Sequence, residues 1–187
     1  MARWKPDAES RFRAAALELF AEIGYEQTTV AAIAERAGLT ARTFFRYFSD
    51  KREVLFNGSE RLQRTMVDAL AQAPAEASAV EAVATALVRA GDFFDDEHRP
   101  YARLRSTVIA ANAELREREL IKMATLSAAL AQALRERGVG EPDASLVAEV
   151  GIAVFRIAFA QWVGESERRS YREIVSGSLA RLRALAA

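Results

Sequence analysis

Apolar residues recur every three or four positions along most of this chain, and most of these runs open on a capping side chain or close on a glycine. Asp7 precedes Phe12, Ala16, Leu19, Phe20 and Ile23, and the run stops at Gly24. Thr29 caps a short segment, 30–37, that ends at Gly38, and Thr40 caps another, 41–48. Asp50 and Glu53 open a fourth, carrying Val54, Leu55, Leu62 and Leu70. After a break around Pro74, longer helices are expected over 78–94, 100–112, 114–137, 143–163 and 168–185. No stretch alternates with a period of two, and nine Gly and four Pro are few helix breakers for 187 residues. These patterns predict an all-α fold of about nine helices, four short and then five longer.

Composition removes several function classes. There is no Cys, which rules out disulfides, thiolate metal sites and Cys nucleophiles, and a single His argues against His-based zinc or triad chemistry. No catalytic residue, metal or cofactor is expected. The net charge is zero, so contact with nucleic acid must rest on a local patch. Residues 1–6 lead into charged, amphipathic sequence rather than an apolar leader. The most apolar stretch, 150–160, is interrupted by Arg156 and is far shorter than the roughly 20 residues a bilayer requires. A soluble, cytoplasmic protein without membrane contact is expected.

The strongest local signal is the pair of short helices joined at Gly38. Ala34 is small where two helices cross, Gly38 permits a sharp turn, and Leu39, Phe44 and Phe48 supply contacts that lock the second helix on the first. This is helix-turn-helix patterning, in which the second helix enters the major groove. Its exposed residues include Arg42, Thr43, Phe45, Arg46 and Tyr47, with Arg42 and Arg46 one turn apart on one side. From Thr40 to Arg52 there are four basic residues and one acidic. Lys51 and Arg52 fall in the first turn expected for the fourth helix, where the macrodipole disfavours cations, and an external phosphate would relieve that placement.

The stretch TTVAAIAERAGLTARTFFRYFSDKREVLF, residues 28–56, resembles the DNA-binding domain of the tetracycline-repressor (TetR) family. The resemblance covers about residues 7–56. It implies a helix-turn-helix DNA-binding domain over 1–56 and an effector-binding and dimerisation domain over 57–187. It also implies a ligand-responsive regulator, a repressor, that binds a palindromic operator in double-stranded DNA as a homodimer. Thr40, Ala41, Arg42 and Thr43 match the groove-facing positions, and Phe45 stands where the family often has Tyr. Arg46 matches a base-reading position, suited to bidentate bonding of guanine. Tyr47 and Lys51 match phosphate contacts, and Thr29 marks a helix start whose amides meet phosphate. Phe12, Phe20, Phe44 and Phe48 are assigned to core, and His98 to the surface. Arg3 and Lys5 are candidates for an arm along DNA.

In the C-terminal part, the 143–163 helix is apolar on most sides and needs cover on several of them. The resemblance implies a four-helix dimer bundle from the last two helices, and Phe159, Trp162, Ile174 and Leu182 are the expected interface. Arg156 is a charge within that apolar helix, expected either to pair with an acid or to anchor an anionic group of a small, largely apolar effector. Arg103 is the second candidate, with Arg105 behind it. The competing readings are a helical protein-interaction adaptor and a helical-bundle enzyme. The enzyme lacks the Glu-x-x-His pair that a di-iron bundle requires.

Overall fold

Side-chain caps begin the first three helices where the sequence places them. In the computed structural model, which describes residues 7–186, Asp7 Oδ1 accepts from the Ser10 N–H at 2.8 Å and starts α1 (Ala8–Glu22). Thr29 Oγ1 accepts from Ala32 N–H at 3.1 Å and starts α2 (Val30–Arg36). Thr40 Oγ1 accepts from Thr43 N–H at 3.1 Å and starts α3 (Ala41–Tyr47). Each cap satisfies one of the amides that a helix leaves unpaired at its first turn. Arg3 and Lys5 lie outside the described residues.

The expected fourth helix is two helices. Asp50 Oδ1 accepts from Arg52 N–H and Glu53 N–H, at 2.8 and 3.2 Å, ahead of α4 (Glu53–Phe56). The chain then breaks at Gly58, whose φ is +94°, and resumes as α5 (Ser59–Ala71). Next come α6 (Ala79–Arg89), opened by a reciprocal Ser78–Glu81 capping box, and a 3-10 turn at Ala90–Phe93. They are followed by α7 (Arg99–Ala111), α8 (Ala113–Glu136), α9 (Asp143–Trp162) and α10 (Tyr171–Ala186). The all-α class stands, with ten α-helices rather than about nine among the described residues. Two helix starts also differ. Asp143 is the first residue of α9 and its side chain caps nothing, while α10 begins after Ser170 in a capping arrangement with Glu173.

Two compact units result. One takes the described residues up to Asn57 together with Leu104–Glu119; the other takes Gly58–Arg103 and the described residues from Leu120 onward. The chain first leaves the first unit after Asn57. Residues 104–119, expected in the C-terminal domain, cluster with the N-terminal helices. The first unit centres on Phe12, Ile33, Phe44 and Val54, all fully buried. In the second, α5 packs on α6, α6 on α9 and α9 on α10, around Met66, Leu70, Leu87, Leu130, Leu134 and Trp162. A Cβ on Gly151 would stand 2.5 Å from Val83 Cγ1, so glycine there is what lets α9 close on α6. No helix among the described residues is long and apolar enough to cross a membrane.

Candidate nucleic-acid interface

The turn between α2 and α3 is fixed from both sides of Gly38. Gly38 N–H donates to Glu35 O and Leu39 N–H to Ala34 O, each at 2.9 Å, which is the paired closure of a Schellman motif. Gly38 adopts φ +63°, and a Cβ there would also meet the Arg11 guanidinium at 2.9 Å. Arg11, on α1, donates to Ala37 O and, at 3.3 Å, to Gly38 O. This clamp on the turn was missed in the sequence, because an Arg on an amphipathic helix reads as solvent-facing until the partner carbonyls are placed.

With the turn fixed, ring packing sets the rotation of α3. Phe44 meets Phe12 edge-on at 5.2 Å and Phe48 at 5.2 Å, and both α3-side rings are buried as expected. The opposite face is then presented outward. Arg42 and Arg46 are exposed, Phe45 is 59% exposed and Tyr47 40%. Ala41 and Thr43 are half-buried, and Thr29 and Thr40 are exposed at the helix starts. Arg46 Nη2 lies 3.1 Å from the Tyr47 hydroxyl with its guanidinium 5.0 Å over that ring. The fold thus brings Thr40 through Tyr47 onto one short helix, with Arg42, Phe45 and Arg46 as its projecting groups.

Lys51 is placed differently from the expectation. Its ammonium donates to the carbonyls of Tyr25 at 2.8 Å, Thr28 at 3.1 Å and Glu26 at 3.4 Å, so it ties down the loop before α2. Arg52 bonds Asp50 Oδ2 and Glu114 Oε1, both at 2.8 Å. The helix begins only at Glu53. Neither cation therefore needs an external phosphate to relieve its placement, because internal carbonyls take the Lys51 charge and internal carboxylates that of Arg52. The Arg52 guanidinium holds the Asp50 carboxyl below its ordinary range, and burial beside Glu114 pushes the Tyr25 phenol up.

The expected C-terminal site residues are also redistributed. Arg156 is exposed on α9 rather than enclosed by apolar neighbours. Arg103 donates from Nε to Val163 O at 2.7 Å and from Nη2 to Gly164 O at 2.9 Å, closing the carbonyl end of α9. Arg105 donates to Leu55 O at 2.6 Å, within the first unit. Trp162 and Ile174 are buried in the second unit's own core, and Phe159 and Leu182 pack against it. These four do not form a free face. The exposed apolar positions of α9 are instead Leu146, Val150, Ala153, Ile157 and Ala160, spaced by three and four. Sequence reasoning missed this stripe because α9 is apolar nearly all round. Among the described residues, no group of three or more His, Asp or Glu is arranged to hold a metal.

A Schellman-turned pair of short helices, with the second displaying arginines and an aromatic ring, defines a helix-turn-helix protein. Residues 12–57 match the family described as bacterial regulatory proteins, tetR family. The HTH-type transcriptional regulator TcmR of Streptomyces glaucescens is 41% identical over 71 residues, which are 38% of this chain and 31% of that protein. The chain thus spans under a third of that relative's length. A protein of Syntrophomonas wolfei described as a TetR-family transcriptional regulator superposes with a TM-score of 0.66 at 18% identity, over 96% of this chain and 94% of its own. Thermus thermophilus FadR, a TetR-family repressor in complex with lauroyl-CoA, superposes with a TM-score of 0.53 at 24% identity, over 94% and 93%. These superpositions extend the fold likeness over nearly the whole chain.

Proposed function

We propose that this protein is a transcriptional regulator that represses by binding a two-fold symmetric DNA operator as a homodimer and lets go when a small, largely apolar molecule binds its second unit. The observation that carries the DNA reading is α3. Buried Phe44 and Phe48 fix its inner side, and Arg42, Phe45 and Arg46 project from the other. Arg46 reads base edges, Arg42 and Tyr47 reach backbone or base edge, and Phe45 offers an apolar surface to a thymine methyl or sugar. Thr29, Thr40, Ala41 and Thr43 shape the approach, and Lys51 acts by holding the loop that carries Thr28 and Thr29.

A homodimer supplies two copies of α3 about one DNA turn, roughly 34 Å, apart. The Leu146–Val150–Ala153–Ile157–Ala160 stripe supports the choice of α9 for that contact, since an exposed run of apolar side chains along one helix face is costly in water. For the effector, lauroyl-CoA in Thermus thermophilus FadR supports a molecule that is largely apolar over part of its length. Release requires that it bind the DNA-incompetent state more tightly, because equal affinity for both states shifts nothing.

Capture of genomic fragments on the immobilised protein, followed by sequencing, tests the reading. A recovered palindrome bound with a steep inverse dependence on salt is the expected result. Binding that is indifferent to sequence and salt would sink it in favour of a protein-interaction adaptor.

A further inference from the structure

Phe94 is inserted among four other aromatic rings of the second unit. It stands just after the 3-10 turn, at the head of residues 94–98, which have no regular structure. Its ring centre lies 4.7 Å from Tyr171, 5.4 Å from Phe159, 5.5 Å from Trp162 and 5.9 Å from Phe155. Those four come from α9 and the start of α10, and they surround Phe94 as a box surrounds its contents. Phe94 and Phe159 are partly exposed, so the box reaches the surface.

The box carries polar groups that its contents do not use. Trp162 Nε1 and the Tyr171 hydroxyl are buried with no hydrogen-bond partner, although both side chains are fully enclosed. Arg99 lies 5.3 Å over the Trp162 ring. Its terminal nitrogens are engaged with Asp96, Glu167 O and Arg169 O, while its Nε is also buried and unpartnered. Buried donors are nearly always paired, and each exception calls for a reason. A core selected for packing alone would be more stable with Phe at 171, because an unpaired donor forfeits its hydration without return.

We propose that this box is a binding site for a planar aromatic molecule bearing hydrogen-bond acceptors, and that Phe94 occupies it as an internal substitute. The ligand's ring system takes the place of Phe94 between the four rings, where aromatic faces and edges favour another aromatic over an aliphatic chain. Its carbonyl or ether oxygens accept from Trp162 Nε1 and Tyr171 OH. Phe94 withdraws with the irregular 94–98 segment. The proposal rests on the reading of the second unit as effector-binding and narrows the effector to an aromatic class.

Flavone, a flat aromatic ketone, and dodecanoate, an aliphatic anion, serve as the two probes. The chain has two tryptophans, so in a full-length Trp4→Phe protein Trp162 is the remaining fluorophore. Flavone is expected to quench its emission saturably, and dodecanoate is expected not to displace it. Phe94→Ala, or Phe94→Leu if the first folds poorly, removes the competitor and should tighten flavone binding roughly tenfold. Tyr171→Phe should act in opposite directions, raising the melting temperature of the free protein and weakening flavone at least several-fold, roughly what one buried hydrogen bond contributes. Absence of saturable quenching in cooperatively melting Trp4→Phe and Phe94 variants overturns the site, as does a Phe94 variant that binds no tighter. Operator DNA, added separately, distinguishes the two readings. Flavone binding with this mutational pattern but without DNA release supports the site and overturns the unit's role as effector sensor.

Discussion

The ammonium of Lys51 stands 4.2 Å from the centre of the Tyr25 ring and 2.8 Å from the same residue's carbonyl oxygen. With Thr28 O at 3.1 Å as a further acceptor, one side chain from beyond α3 fastens the loop that delivers the chain into α2. Thr28 is itself buried, its hydroxyl donating to Gly24 O at 2.8 Å. The loop is held at two points, and the start of α2 inherits its position from them.

Lys51→Met should therefore lower stability as well as DNA affinity. Charge-assisted hydrogen bonds contribute roughly 1.5–3 kcal/mol, and the loss should appear as a fall in melting temperature. Lys51→Arg should recover only part of it, since a planar fork does not fit three converging carbonyls. A residue that merely touched phosphate would leave the melting temperature alone and reduce the salt slope by about one unit. Thermal melts and salt titrations of the same samples separate the two.

Arg46→Ala should leave the melting temperature unchanged, because the side chain's contacts are with exposed Tyr47. Discrimination at particular operator base pairs should relax by about 1–3 kcal/mol. Competition between the operator and single-base variants measures this. A uniform loss across all sequences would make Arg46 a phosphate contact instead.

Two charge insertions on the last helices should behave differently. Ile157, 56% exposed, is replaced at little cost to the fold, so Ile157→Glu should give a helical monomer whose operator affinity is lower by roughly tenfold or more. Leu182 packs against the core of its own unit, so Leu182→Glu should lower the melting temperature. Sedimentation and circular dichroism read both. A dimer that survives Ile157→Glu and Val150→Glu would move the interface off this stripe.

Acid should weaken the second unit through Glu167. Hydrogen bonds from the Arg169 side chain and from the Arg168 and Arg169 amides hold this carboxyl down to about 2, against an ordinary 4.5. A carboxyl lowered on folding stabilises the native state above its unfolded value. That contribution is lost as pH falls from about 4.5 towards 2. Glu167→Gln should flatten this part of the pH–stability profile, and an unchanged slope between about pH 5 and 3 would show that the pairing contributes nothing.

Much of the first unit could be read in advance because its signals are local. Asp7, Thr29 and Thr40 cap within three residues of themselves, Gly38 is required by its own backbone angle, and Phe44 and Phe48 follow from helical spacing. The same locality limited the reading. The split at Gly58 was hidden because Leu62 and Leu70 continue an acceptable helical pattern across it. The short helices and their caps placed Arg42, Phe45 and Arg46 together on α3 with no further information.

What tertiary structure alone decided was which of several equivalent faces turned inward. On α9, Ile157 and Trp162 are both apolar and both in register with a stripe. Only the packing against α6 and α10, with Gly151 admitting Val83, buries Trp162 and leaves Ile157 in water. Arg156 went outward by the same rotation. Lys51 and Arg103 have no sequence neighbours that announce their partners, which lie 60 and 61 residues away for Arg103 and, for Lys51, 23 to 26 residues back, beyond α2 and α3. Capping and turn chemistry act over three or four residues and are written in the sequence as such. The choice of buried face and the destination of a long cation depend on surfaces that exist only once distant helices have met.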